Sequence, residues 1–343
     1  MTSPQSGGVF RLSVLNPEGN DPEQDFSDGG DPSAHAPVNF HAYAACTGGR
    51  FLRSVKHAVE LRQPVLLLLR GDFRASERAL LTLKQAGVPV VVSLKETGLH
   101  QIAEQLDEKN RLSRFLRIMR ASDGYIAPTP EAADFCRTVR ANAASVAFIP
   151  TPYPLHDERW DFSVPAAQRR GIMLGTREWD IPTRNHAAAL LAAQRLSEAT
   201  GEPVTTYNLD GRREERLLAR LEFPPGRLTI HNREDAYRDY LRVMAAHKIV
   251  FQLDTSFVPG QVAGDALLCR LPCVGGNGAI DRIAFPEICG HDRLIGELSE
   301  IALEFLRDSA RAEAAVALSQ KHAADRLSFP DAARALREFF AAL

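Results

Sequence analysis

The chain has 343 residues, 45% of them hydrophobic, and a net charge of −2. That length suits about two domains of roughly 150 residues each, and the near-neutral charge gives no reason to expect nucleic acid as a partner. No apolar run approaches the ~20 residues of a membrane-spanning helix, and the first residues lack the basic-then-apolar order of a secretory signal. Five scattered cysteines, with no Cys-x-x-Cys pair and no Cys/His cluster, speak against zinc. They read as small buried apolar groups in a chain expected in the reducing cytoplasm.

In chain order, Val9–Leu15 alternates and predicts a first strand. The Gly-, Pro- and Asp-rich stretch from Asn16 to Pro37 is too long for a plain connection. Its acids (Glu18, Asp21, Glu23, Asp25, Asp28 and Asp31) lack calcium-loop spacing and read as a solvated loop. Phe40–Cys46 is ambiguous. Gly48-Gly49-Arg50 is expected to open a helix running to Leu61, with Gly49 a candidate for close approach of a substrate or diphosphate. Pro64–Leu69 is continuously apolar, as in a central parallel strand. Arg70-Gly71-Asp72 follows at its carboxyl end, where ligands bind in such sheets. Helix Ser76–Ala86, strand Val88–Ser93, a helix from Lys109 to Arg120, strand Asp123–Thr129, a helix from Pro130 and strand Val146–Pro150 complete a β-α-β series. The helix at 109–120 places Arg111, Arg114 and Arg117 every three residues among apolar side chains. This leaves two readings, a peripheral contact with anionic lipid through Arg111 to Arg120 or an ordinary core-facing helix.

Pro150, Pro152, Pro154 and Pro165 stiffen a linker, with Trp160 and Phe162 able to dock it. A second α/β series starts at Gly171–Gly175. Arg177 follows this strand, and Arg184 lies just before a helix from His186 to Ala199. Strands at Pro203–Leu209 and Leu228–Ile230 and a helix at Glu234–Ala246 come next. Then Ile249-Val250-Phe251 reads as a buried strand, Thr255–Gly260 as a loop, Val262–Cys269 as a helix carrying Asp265, and Leu271–Val274 as a strand ending at Gly275-Gly276-Asn277-Gly278. A helix starting near Gly260 turns backbone N–H groups toward the carboxyl edge, which suits an anion. The rest is helical and alanine-rich, broken at Leu327–Asp331, where Asp331 can cap a last helix.

The order Gly260, Asp265-Ala266-Leu267, Leu271-Pro272-Cys273-Val274 and then glycines resembles the donor segment of GT-B glycosyltransferases that use nucleotide sugars, in the retaining, family 4-like branch. That branch carries a pair of glutamates here; Asp265 stands at the second place and Phe257 at the first, and Phe accepts no hydrogen bond from a sugar hydroxyl. The resemblance covers Arg170 to Gly290 in motif and the first half in architecture only. It implies an α/β GT-B fold, two Rossmann-like doubly wound domains facing across a cleft. The expected domains are an acceptor-side domain over 1–165, a nucleotide-sugar domain over 166–326, and a final helix over 327–343 able to return to the first. Arg177 and Arg184 match the cations that grip the donor diphosphate in place of a metal, as charge grows on the leaving group. Asp265 is expected at the ribose hydroxyls, and Asn277, Gly276, Gly278 and Gly260 at sugar or phosphate. The implied activity is transfer of a sugar from a nucleoside-diphosphate sugar to a saccharide, lipid or protein acceptor, without metal or cofactor, the acceptor lying near Gly48-Gly49, Arg70 or His100. The stereochemical course stays open at Phe257, and His35, His41 and His100 are candidate bases by residue type. The alternative is a catalytically degenerate GT-B-like protein that binds a sugar nucleotide or a protein partner.

Overall fold

The structure is a computed structural model that describes residues 9–27, 35–175, 179–209, 215–216 and 218–343. Contacts divide the chain into two units. One runs to Tyr153 and takes in Phe329–Leu343, and the other is Pro154–Ser328.

The N-terminal unit contains β1 (Ser13–Leu15), β2 (Gln24–Asp25), α1 (Asn39–Ala45), β3 (Arg50–Leu52), α2 (Val55–Leu61), β4 (Val65–Leu69), α3 (Arg74–Gln85), β5 (Val90–Leu94), α4 (Leu99–Leu106), α5 (Lys109–Ala121), β6 (Gly124–Ala127), α6 (Pro130–Val139) and β7 (Val146–Phe148). Its sheet has the order β2-β3-β1-β4-β5-β6-β7. All pairings are parallel except β2 with β3. Every residue of β4 and β5 is buried, and strand alternation sends them to opposite faces. Val65, Leu67 and Leu69 join a core with Leu80, Leu83, Phe115 and Ile118. Leu66 and Leu68 join the other with Phe40, Tyr43 and Leu336. Leu336 belongs to the last helix, whose Phe340 also packs against Phe10 at 5.7 Å between ring centroids. Helix starts follow local chemistry: the Thr129 hydroxyl accepts from Ala132 N at 3.2 Å with Pro130 next in line, as an N-cap requires.

The C-terminal unit contains β8 (Ile172–Leu174), α7 (His186–Thr200), β9 (Val204–Tyr207), β10 (Leu228–His231), α8 (Tyr237–Ala245), β11 (Ile249–Gln252), α9 (Gln261–Leu268), β12 (Cys273–Gly275), α10 (Ala279–Ala284), α11 (Ile295–Arg307) and α12 (Ser309–Ala324). The sheet order is β10-β9-β8-β11-β12, all parallel. The segment before β8 is fastened to this unit. Phe162 N donates to Leu268 O at 2.9 Å, Arg270 pairs with Asp161 at 3.1 Å, and the Arg238 guanidinium lies 4.2 Å over the Trp160 ring. The last helix, α13 (Phe329–Ala341), begins two residues before the cap expected at Asp331, which lies within its first turn. Among the described residues no helix is long and apolar enough to cross a membrane.

Two expectations need correction. No helix opens at Gly48-Gly49; Arg50–Leu52 is strand β3, and α2 starts after Ser54, whose hydroxyl accepts from His57 N. Gly49 precedes β3 beside Leu12, which precedes β1, so it sits at the amino edge of the sheet, away from the edge where ligands bind. Its lack of a side chain serves packing, since a methyl there would collide with the Leu12 carbonyl oxygen. The acids of the Asn16 loop are not simply solvated either. Glu18 pairs with Arg78 at 2.9 Å, Asp21 with Lys95 at 3.1 Å, and Asp25 with Arg50 at 2.7 Å, while Glu23 accepts from Arg53 N at 2.6 Å. Asp28 and Asp31 lie outside the described residues.

Gly49→Ala is expected to destabilise the N-terminal unit by about 2–3 kcal/mol, as overpacking against backbone does. Gly87→Ala meets open space at φ +71° and should cost only about 1 kcal/mol of conformational strain. Urea denaturation of both variants checks the difference, and equal losses would refute the packing role of Gly49.

Candidate functional site

In the C-terminal sheet β8, β11 and β12 are neighbours, so their carboxyl ends deliver three loops side by side. The first two are stitched together: Thr255 N donates to Thr183 O at 2.8 Å, and Asn185 Nδ2 donates to Leu253 O at 2.9 Å. The stitching holds Arg184, at the end of a short 3-10 turn, against the loop after β11. There its guanidinium donates to Asp254 and, at 3.2 Å, to Ser256 Oγ. The side chains of Arg184 and Asp254 are only 15% and 7% exposed. Asp254 is further held by the backbone N–H of Ser256 at 2.8 Å and by its hydroxyl. Arg184 thus stands at the expected edge, already partnered by a carboxylate. Arg177, its expected companion, lies outside the described residues. The third loop is tied in by Asn277, whose Oδ1 accepts from Phe257 N at 3.0 Å. Phe257 is half-buried at φ +50°, with the Arg282 guanidinium 5.5 Å from its ring centroid and the His291 ring edge-on.

Beneath this loop lies Asp281, 1% exposed. Gln252 Nε2 donates to its Oδ1 at 2.9 Å. Three glycines wall it in. A methyl on Gly260 would stand 2.7 Å from Oδ2 and one on Gly278 2.6 Å from Oδ2, while one on Gly276 would collide with Oδ1. Complete burial, reinforced by the nearby Asp254 charge, pushes the Asp281 pKa up to about 8, against the pull of backbone N–H groups and Arg282. Gly260, Gly276 and Gly278 are therefore brought together around a buried carboxyl, and Asn277 reaches Phe257 instead. Neither Asp254 nor Asp281 stands out in the sequence. The available signals are their positions, two residues past β11 and three past Gly278.

Asp265, expected at the ribose hydroxyls, is 1% exposed, and its Oδ1 accepts a hydrogen bond from the Tyr237 hydroxyl of α8. That bond ties α8 to α9.

In the N-terminal unit the carboxyl ends of β1, β4 and β5 carry Asn16, Arg70 and Lys95. Asn16 and Lys95 converge on Asp21, at 2.6 and 3.1 Å. Burial opposes the Asp21 charge, but Lys95, with His41 and Arg70, outweighs it and holds the pKa below its ordinary value. His35 and His41 lie beside it, ring centroids 4.1 Å apart. Burial draws the His41 pKa down to about 4. The ring stacks on Phe51 at 3.6 Å, and its Nε2 meets Pro22 O at 2.9 Å; a carbonyl only accepts, so Nε2 carries the proton. His41 is thus a neutral packed ring, 3% exposed, not an open base. His35 is lowered in the same direction, first by burial. The basic stripe of α5 is largely engaged within the unit, since Arg114 and Arg117 meet Glu77 of α3 at 3.1 and 2.8 Å and Arg111 meets Glu108 at 3.2 Å.

No family model and no curated protein matches this sequence. Solved structures do. HepE of Anabaena in complex with UDP-glucose superposes with a TM-score of 0.65 at 14% identity, over 97% of this chain and 100% of that one. The α,α-trehalose 6-phosphate synthase of Burkholderia multivorans gives 0.61 at 10% identity, over 98% and 97%. The UDP-forming α,α-trehalose-phosphate synthase of Burkholderia xenovorans gives 0.60 at 11%, over 88% and 79%. The fold is that of the GT-B glycosyltransferases, with two Rossmann-like α/β domains.

Breaking the buried pair by Asp254→Ala is expected to cost about 3–5 kcal/mol, because the buried Arg184 charge loses its carboxylate. Adding Arg184→Ala should recover part of that loss, and a double-mutant cycle by denaturation measures the coupling; strict additivity would refute the pairing. Asp281 gives a pH dependence. The folded carboxyl keeps its proton up to about pH 8, while the unfolded one releases it near 3.8. The folded chain therefore holds more protons between those values, and stability falls as pH rises through that window. Asp281→Asn should remove a slope worth roughly 6 kcal/mol over the whole window. Parallel stability profiles of wild type and variant from pH 5 to 9 would refute this.

Proposed function

We propose that the protein transfers a sugar from a nucleoside-diphosphate sugar to an acceptor, binding the donor on its C-terminal unit. The observation that supports this best is the near-complete superposition on a structure holding UDP-glucose, together with the polar cluster where β8, β11 and β12 end. In this reading Arg184, oriented by Asp254 and Ser256, meets the donor diphosphate, and Arg177 is its companion from the loop after β8. Charge gathers on that diphosphate as the glycosidic bond breaks, and a fixed guanidinium in a partly buried site stabilises it without a metal. Asn277, Gly276, Gly278 and Gly260 shape the surface for sugar and phosphate. Phe257 gives the sugar an apolar wall in place of an acid. The family 4-like affinity is carried by Gly260, Asp265-Ala266-Leu267 and the glycines after Val274.

The acceptor is assigned to the N-terminal unit, at the carboxyl edge bearing Asn16, Asp21, Arg70 and Lys95. Asp21, kept ionised beside Lys95, is a better-supported acceptor anchor than the packed ring of His41. Because Arg111, Arg114 and Arg117 of α5 already meet carboxylates in their own unit, this reading needs no lipid contact.

UDP is expected to bind in the presence of EDTA, measured by calorimetry; loss on chelation with recovery on adding Mn²⁺ would refute the metal-free reading. Incubation with single UDP-, GDP- and TDP-sugars should reveal slow donor hydrolysis. Arg184→Ala should lower that turnover about ten- to a hundredfold, mostly in kcat, since the contact strengthens in the transition state. Unchanged turnover in a folded variant would place the donor elsewhere, and nucleotide binding with no turnover in the wild type would favour a binding protein.

A further inference from the structure

Donor binding at this edge gives no direct part to Asp281, an acid buried beneath the loop that would hold the sugar and phosphate. We propose that Asp281 is a positioning residue of the donor site, whose protonated carboxyl holds Gly260 and the Gly276–Gly278 loop in the arrangement that accepts a nucleoside diphosphate, so that donor affinity is lost when the carboxyl ionises. The inference rests on the donor assignment above and adds to it a pH dependence.

Gly260, Gly276 and Gly278 each press on the carboxyl at distances that leave no room for a methyl group. The loop backbone and the carboxyl therefore cannot move independently. Oδ1 takes the Gln252 amide from β11, and the same amide reaches Cys273 Sγ of β12 at 3.4 Å. One acid thus couples two strands to the loop after each. Asn277 extends that coupling to Phe257.

The charges around Asp281 determine what ionisation does. Asp254, from the loop after β11, opposes it, and Arg282, next in α10, favours it but is outweighed by burial. From β12 and the segment after α10 come the Cys273 and Cys289 thiols, both pushed up by burial and by Asp281 itself. Arg184 is paired with Asp254. An ionised Asp281 would thus be a second carboxylate near Asp254, closed off from water. The Gln252 amide, the backbone N–H groups of the loop and Arg282 offset that charge only in part, and it would add negative charge beneath a bound diphosphate. The protonated acid avoids both, which matches its pKa of about 8.

The proposal is tested by calorimetric titration of the full chain with UDP from pH 7 to 9, in buffers of differing ionisation heat. Wild-type affinity should fall about tenfold over that range, with uptake approaching one proton per UDP at pH 9. Asp281→Asn keeps the shape and mimics the protonated acid, and its affinity should stay within about twofold over the same range. If that variant does not fold, the wild-type proton uptake decides the matter alone. A wild-type affinity independent of pH, or a fall shared equally by Asp281→Asn, overturns this inference while leaving the donor assignment standing. No UDP binding at any pH removes the donor assignment, and this inference with it.

Discussion

Charge held away from water organises the C-terminal unit. Where β8, β11 and β12 end, Arg184, Asp254 and Asp281 lie in or near a dry interior. An isolated buried charge costs several kcal/mol, so each needs its own solution. Arg184 and Asp254 solve it by pairing, with the Ser256 N–H and hydroxyl as further donors. Asp281, too near Asp254 and too enclosed to ionise at neutral pH, solves it by keeping its proton. The local backbone follows from this: glycines where the Asp281 oxygens press, and Asn185 in the left-handed region so that its amide can reach Leu253 O.

The N-terminal unit handles charge at its surface by the same logic, with less at stake. The acids of the loop after β1 fasten it through Arg78, Lys95, Arg53 and Arg50. Most of these pairs are well exposed, and exposed pairs contribute little individually. The Asp21–Lys95 pair differs, because Asn16 shares it and the Lys95 and Asp21 side chains are only 21% and 32% exposed. It is the polar focus of that sheet edge.

GT-B architecture gathers the loops after the parallel strands of each unit at one edge, and sequence drifts widely around it: the three structures compared above are only 10–14% identical to this chain. What persists is topology, since parallel strands with right-handed crossovers put their loops at one edge whatever the side chains are. Phe257 takes a positive φ at this edge without disturbing the sheet. Its backbone N–H is still satisfied by Asn277.

The parallel α/β class and most of the central strands are legible in the order of the amino acids. Val65–Leu69, Val90–Leu94 and Ile249–Gln252 are apolar runs too short for helices and buried on both faces, which composition alone reveals. The glycine loop after β12 and the place of Arg184 at the carboxyl edge of the sheet are legible too, because strand ends are local features. Tertiary structure decided everything that depends on a distant partner. Gly49 resembles a helix entry until Leu12 is seen against it. Asp265 gives no sign in the sequence of the Tyr237 hydroxyl, 28 residues earlier, that donates to it. Asp254 is an ordinary loop acid until Arg184, 70 residues away in the chain, is folded onto it. The ionisation of Asp281 depends on three glycines and a second acid that only the folded sheet brings within reach. Hydrophobic periodicity is written residue by residue, whereas the environment of a charge is set by whatever the fold packs around it.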